Sequence, residues 1–194
     1  MNKLQAMPAL IIVLCLLLTA CGSNEIPDAK NKDIQNFTYT DQDGNSFSKE
    51  DLKGKVWLAD FIFTSCATVC PPMTANMAKL QNMLKEKGIK NVEIVSFSVD
   101  PEIDTPKALK EYGSKFQADL SKWHFLTGYQ QADIEQFALE SFETLVKKPE
   151  NETQVIHGTS FFLIDQNGKL IKAFPGNKDV PFEEIIKHID ILQK

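Results

Sequence analysis

Apolar and polar positions along this chain fall into blocks of changing period, and each block predicts an element. An almost unbroken apolar run from Ala9 to Leu18 comes first, followed by polar residues without periodicity from Gly22 to Asp33. Phe37-Thr38-Tyr39-Thr40 and Ser46-Phe47 alternate on either side of Asp41-Gln42-Asp43-Gly44-Asn45, which predicts a hairpin. Ser48 to Leu52 reads as a capped helical turn. The apolar, aromatic and β-branched run Val56 to Phe63, bounded by Gly54 and Ser65, predicts a buried strand. Met73, Met77, Leu80, Met83 and Leu84 recur at three and four, a helix with one apolar face that starts near Pro71 and ends at Gly88. Val92 to Val99 predicts a second strand, Leu109, Tyr112 and Phe116 a second helix, Trp123 to Leu126 a third strand, and Ile134, Phe137, Ala138 and Phe142 a third helix. His157-Gly158 opens a fourth strand, Ser160 to Ile164, which Asp165-Gln166-Asn167-Gly168 turns into Lys169 to Phe174. A last amphipathic helix runs from about Pro181 to Leu192. This order implies an α/β domain with a central, mostly parallel sheet, helices on both faces and an antiparallel edge.

The amino terminus sets the compartment. Lys3 precedes the apolar run, and Leu18-Thr19-Ala20-Cys21 closes it with small residues before a cysteine. Such a segment is a signal peptide, short of the ~20 residues a membrane span needs, and this disfavours the competing reading of an uncleaved anchor. Its ending resembles the lipobox of bacterial lipoproteins, in which the cysteine becomes the lipid-bearing first residue. Residues 1–20 are thus expected to be removed together with Cys15. Residues 21–35 are expected to tether the chain to the outer, extracytoplasmic face of the cell membrane through lipid on Cys21, and residues 36–194 to form one domain. The net charge is −5, and loss of Lys3 makes it more negative. No arginine occurs in the chain, so bidentate recognition of phosphates or bases is poorly provided for and nucleic acid is set aside.

Outside the signal and the anchor only Cys66 and Cys70 remain. Two thiols make no disulfide framework for a domain this large, so they are there for reactivity or for metal. Both lie in the loop after the first buried strand, where open α/β sheets present their chemistry. On a helical path residues four apart have Cβ atoms ~5–6 Å apart, whereas a relaxed disulfide wants ~3.8 Å. The spacing therefore leans toward a metal held between two sulfurs, although a loop cysteine can move to close a disulfide. Soft thiolates select copper(I), zinc or iron–sulfur chemistry, and with only two sulfurs copper is favoured, since one added imidazole would serve both Cu(I) and Cu(II). Among the three histidines, His188 reads as a surface residue of the last helix and His124 as a structural residue of a strand. His157 is the best third ligand, against the alternative of a merely solvated loop histidine. Met73 and Met77, at helical spacing, read as core fillers rather than ligands.

Four stretches carry a family resemblance: Phe63-Thr64-Ser65-Cys66-Ala67-Thr68-Val69-Cys70-Pro71, Ser98-Val99-Asp100-Pro101-Glu102-Ile103-Asp104-Thr105-Pro106, Leu126-Thr127-Gly128, and His157-Gly158-Thr159-Ser160-Phe161-Phe162-Leu163-Ile164-Asp165. In this order they resemble the Sco (SenC/PrrC) family over most of residues 50–175. The resemblance implies a thioredoxin-like fold with an added amino-terminal hairpin and a role in cytochrome c oxidase assembly. It also implies copper bound by Cys66, Cys70 and His157 for the dinuclear centre of oxidase subunit II. The family's aspartate falls on Asp100, which would orient a ligand or complete the copper(II) site, or else simply cap its loop. A copper donor or a thiol reductant would be a further partner. The rival function is a thiol–disulfide oxidoreductase that reduces the oxidase's copper-site cysteines. Thioredoxin-like oxidoreductases place a proline where this chain has Thr159, beside His157, which speaks for a ligand there instead. A peroxiredoxin-like peroxidase, resembling a family that activates its cysteine with arginine, is set aside because the chain has none.

Overall fold

The computed structural model describes residues 26–194; the signal peptide, Cys15 and Cys21 lie outside the described residues. The strands are β1 (Lys32–Asp33), β2 (Thr38–Thr40), β3 (Ser46–Ser48), β4 (Val56–Ile62), β5 (Val92–Ser98), β6 (Trp123–Leu126), β7 (Val146–Lys147), β8 (Ile156–His157), β9 (Ser160–Ile164) and β10 (Lys169–Pro175). The helices are α1 (Cys70–Glu86), α2 (Pro106–Lys115), α3 (Gln131–Phe142) and α4 (Phe182–Leu192), with a 3-10 turn at Lys49–Leu52. A six-stranded sheet runs β1-β10-β9-β4-β5-β6. β4, β5 and β6 are parallel, whereas β9 joins β4, β10 joins β9 and β1 joins β10 in antiparallel ladders. Among the described residues no helix is long and apolar enough to cross a membrane.

β4 is the middle of this sheet and every one of its residues is buried, which is why it reads as an apolar run without alternation. The two sheet faces differ in chemistry. On one, Phe61 stacks on Phe97 at 5.5 Å between ring centroids, and Phe137 and Phe142 of α3 meet Phe97 at 5.1 and 5.9 Å. On the other, Asp60 faces Ser96 in register, and α1 and α2 cover the sheet, joined by a 2.7 Å hydrogen bond between Thr74 and Tyr112. Gly113 lets α2 approach closely, because a Cβ there would stand 2.7 Å from the Phe125 ring.

Three sequence expectations are corrected. The tether read at 21–35 is already part of the fold from Ile26 onward. Lys32 and Asp33 pair with Leu170 and Lys169, and Ile26 and Ile34 are buried. Two isolated apolar residues in a polar stretch carry no periodicity, yet the segment that they anchor pairs with the edge of β10 that would otherwise stay open. His157 does not open β9: it belongs to β8, which pairs with β7 in a two-stranded sheet of its own. His188 is buried rather than on the surface, its ring 5.8 Å from that of Phe174. Its spacing of three from Ile185 puts it on the apolar stripe of α4. His124 is structural, stacked on Phe47 and 3.3 Å from Glu93.

Candidate metal site

β4 delivers Phe63 to the end of the sheet, and the chain turns through Thr64–Val69 before α1 begins at Cys70. The first turn of a helix leaves N–H groups without intrahelical partners. Pro71 and Pro72 remove two of these donors, and the Cys70 N–H donates to Cys66 Sγ at 3.3 Å. The loop thus folds the first sulfur back over the helix start. Cys66 Sγ, Cys70 Sγ and a ring nitrogen of His157 all lie within 4.8 Å of one another, and both cysteines are free thiols.

His157 arrives on the β7–β8 hairpin. Its Nδ1 is 2.8 Å from the Gly158 carbonyl oxygen, which can only accept, so the proton sits on Nδ1. Nε2 is left with its lone pair directed at Cys70 Sγ, 3.4 Å away. Burial holds the imidazole below the ordinary histidine range, against the pull of the Gly158 carbonyl, and the neutral ring is the ligating form. The close approach needs a glycine: a Cβ at Gly158 would stand 2.3 Å from Thr144 Oγ1. Phe63 closes the inner side, edge-on to the imidazole at 5.7 Å.

The two thiols are unequal. Cys70 is fully buried, and that burial, together with its contact to Cys66, pushes its thiol far above the normal range. Burial also acts to raise Cys66, but the Cys70 thiol and the backbone N–H groups of Cys70, Thr68 and Val69 outweigh it, so the Cys66 thiol is lowered. Cys66 is also the less deeply buried of the two, at 7% exposure against 0%. An ion bonded at about 2.0–2.3 Å to two sulfurs and one nitrogen spaces three trigonal ligands about 3.5–4 Å apart. The cluster matches that scale, and its donor set is soft.

Asp100 does not approach the cluster through any hydrogen bond to a ligand. It is buried, and its carboxylate accepts from Lys148 Nζ at 2.7 Å. Sequence reasoning gave no role to Asp104, four residues on, which is the residue that pins the cysteine loop. Its carboxylate accepts from Thr64 N–H at 3.2 Å, Thr64 Oγ1 at 2.5 Å and Ser98 Oγ at 2.6 Å. Burial raises its carboxyl despite these bonds. The only signal was position, an acidic residue just before the Thr105 cap of α2. Asp104→Ala leaves these donors unpaired and is expected to lower stability by roughly 2–4 kcal/mol in urea unfolding. Asp104→Asn, which keeps an acceptor, is expected to lose less. Met73 and Met77 are fully buried in the core, as read from the spacing.

The sequence profile of the SCO1/SenC family matches residues 27–193. The SCO1 protein homolog of Bacillus subtilis (strain 168) is 51% identical over 174 residues, 90% of each chain. The crystal structure of a SCO1/SenC family lipoprotein from Bacillus anthracis str. Ames superposes with a TM-score of 0.85 at 54% identity, over 88% of this chain and 100% of that one. BsSco, described as a member of the Sco family of cytochrome c oxidase assembly proteins with a disulfide switch, gives 0.81 at 49% identity, over 88% and 98%. ScoI of Bradyrhizobium japonicum with copper bound gives 0.66 at 27% identity, over 82% and 97%. A profile that spans nearly all of the described residues, and relatives of half-identical sequence with the same fold, place this chain in the SCO1/SenC family.

Proposed function

We propose that this protein is a copper-binding assembly factor for cytochrome c oxidase, carrying copper for the dinuclear centre of oxidase subunit II. Cys66 and Cys70 supply two thiolates and His157 an imidazole. The observation that carries the reading is the convergence of these three donors, with the Nε2 lone pair of His157 facing the sulfurs. Two thiolates suit copper(I), and the added imidazole suits copper(II). The oxidase-assembly description of BsSco and the copper bound to Bradyrhizobium ScoI support this assignment. Lipid on Cys21 holds the domain at the outer face of the cell membrane, and the lipoprotein description of the Bacillus anthracis relative supports that placement.

Copper(II) titration of the purified protein tests it. A visible thiolate-to-copper(II) absorption is expected to saturate at one equivalent. His157→Ala is expected to shift that band and weaken binding by tenfold or more, since loss of even an outer partner of a ligand costs 10–100-fold. An unchanged band and affinity in His157→Ala would remove the histidine from the ligand set. Absence of any such band in the wild type would remove copper.

One observation favours a second reading, a thiol–disulfide reductase acting on the oxidase's copper-site cysteines. Cys66, with its lowered thiol, and the more deeply buried, protonated Cys70 form an attacking and resolving pair. Rapid reduction of a partner disulfide by protein that forms no copper band would decide for it.

A further inference from the structure

The ligands proposed for copper come from two separately built parts of the molecule. The cysteines sit on the loop between β4 and α1, anchored to the main sheet, whereas His157 sits on a two-stranded sheet of its own. A ligand on a hairpin outside the main sheet is only as well placed as the contacts that tie that hairpin down. Among the described residues, one polar route between the two parts runs beside the hairpin, in addition to the one from Asn76 of α1 through Gly176 to Thr159. Asp104 holds Thr64, two residues before Cys66. Asp104 and Ile103 donate their N–H groups back to the Asp100 carbonyl at 2.9 and 3.0 Å, making one tight turn of Asp100–Asp104. The carboxylate of Asp100, buried with its side chain 3% exposed, pairs with Lys148 Nζ at 2.7 Å. Lys148 follows directly on Lys147 of β7, and Val146 of β7 lies opposite His157 in the ladder.

Lys148 is itself fixed from two further sides. Its N–H donates to Glu135 of α3 at 2.9 Å, and Lys147 Nζ reaches the other oxygen of the same carboxylate at 2.9 Å. Its ammonium also meets Glu102 at 3.1 Å, but Glu102 is 71% exposed. An exposed pair of that kind contributes little. The buried Asp100 is the partner that counts.

We propose that Lys148 is a positioning residue for the metal site: its ion pair with Asp100 clasps the His157 hairpin to the turn that also holds the cysteine loop, and so sets the distance from the imidazole to the two sulfurs. With the clasp closed, three donors act together. With it open, the hairpin carries His157 away and leaves a two-thiolate site that keeps copper(I) but holds copper(II) poorly. The inference rests on the copper reading of Cys66, Cys70 and His157.

Copper(II) titration of the full chain, followed by absorption and electron paramagnetic resonance, tests it with Lys148→Met, Lys148→Arg, Asp100→Asn and the Lys148→Met/Asp100→Asn double variant. Lys148→Met is expected to weaken copper(II) binding about tenfold, at the low end for outer partners of ligands. Its spectrum is expected to move toward that of His157→Ala, with copper(I) binding changed less than twofold. Lys148→Arg, which can bridge the same carboxylates, is expected to restore the wild-type spectrum. Lys148→Met leaves a buried carboxylate uncompensated and risks unfolding, so the double variant, which removes both charges, is the decisive one. Residues acting through one pair are non-additive, so it is expected to match Asp100→Asn alone. A double variant with the wild-type spectrum and affinity, or effects that add, would overturn the clasp. A wild-type protein without any thiolate-to-copper band would instead overturn the copper reading itself.

Discussion

Cys66→Ser is expected to lower copper affinity by more than about a hundredfold, and Cys70→Ser to do the same. Removal of an outer partner of a ligand already costs 10–100-fold, and here a charged, soft donor is lost outright from a set of three. Serine keeps the size but offers a hard hydroxyl that stays protonated. Competition against a chelator of known affinity reads the loss directly. The same variants also separate the two functional readings. If the protein exchanges disulfides, the Cys66 thiolate attacks a partner disulfide, one partner sulfur leaves as a thiolate, and Cys70 then displaces the other. Cys70→Ser would then accumulate a mixed disulfide with the partner, and Cys66→Ser would not. Equal loss of copper with no trapped adduct from either variant is the outcome expected of the copper carrier.

The second large effect lies away from the metal ligands. Asp60 is completely buried in the central strand; its Oδ1 accepts from Ser96 Oγ at 2.5 Å, while Oδ2 has no partner. Ser96 in turn accepts from Trp123 Nε1 at 2.9 Å, and its single hydroxyl proton serves only one of the two carboxylate oxygens. Burial raises the carboxyl to about 7, the Ser96 bond only partly opposing it. In the unfolded chain an aspartate titrates near ~3.9. Between those values the folded state keeps a proton that the unfolded state has released. The associated stability is therefore fully present below about pH 4 and is lost as pH rises through about 7. Three pH units correspond to about 4 kcal/mol. Asp60→Asn keeps the acceptor for Ser96 and cannot ionise. It is expected to match the wild type near pH 4 and to exceed it at pH 8.5 by about 10 °C in Tm, at 2–4 °C per kcal/mol for a domain of this size. Parallel melting curves for the two proteins across that range would show that Asp60 is not a burden on the fold.

What could be read from the sequence was what repeats. Strands β4, β5, β6 and β9 and the four helices announce themselves by apolar runs or by spacings of three and four, and the CxxxC loop lies where a strand meets a helix. His157 was legible through its motif and not through its spacing, since only the fold brings β8 beside the start of α1. Single polar residues that pair across the chain have no period and left no trace: Asp104 holding Thr64, Lys148 holding Asp100, and Glu135 holding Lys148 join residues 13 to 48 positions apart. The two-residue strands β1 and β7 carry no such signal, because two residues cannot show alternation. His188 is buried by its place on the apolar stripe of α4, three residues from Ile185, which its polar side chain does not announce.

The packing of Ile26 and the pairing of Lys32 and Asp33 with β10 also set the reach of the proposed lipid anchor. With residues 26–35 taken into the fold, only five peptide steps separate Cys21 from Ile26. A fully extended chain of that length reaches at most about 18 Å. A domain lipidated at Cys21 therefore stays within about half its own diameter of the bilayer surface. For a domain so anchored, the partners within reach would be those whose docking sites stand at that same height.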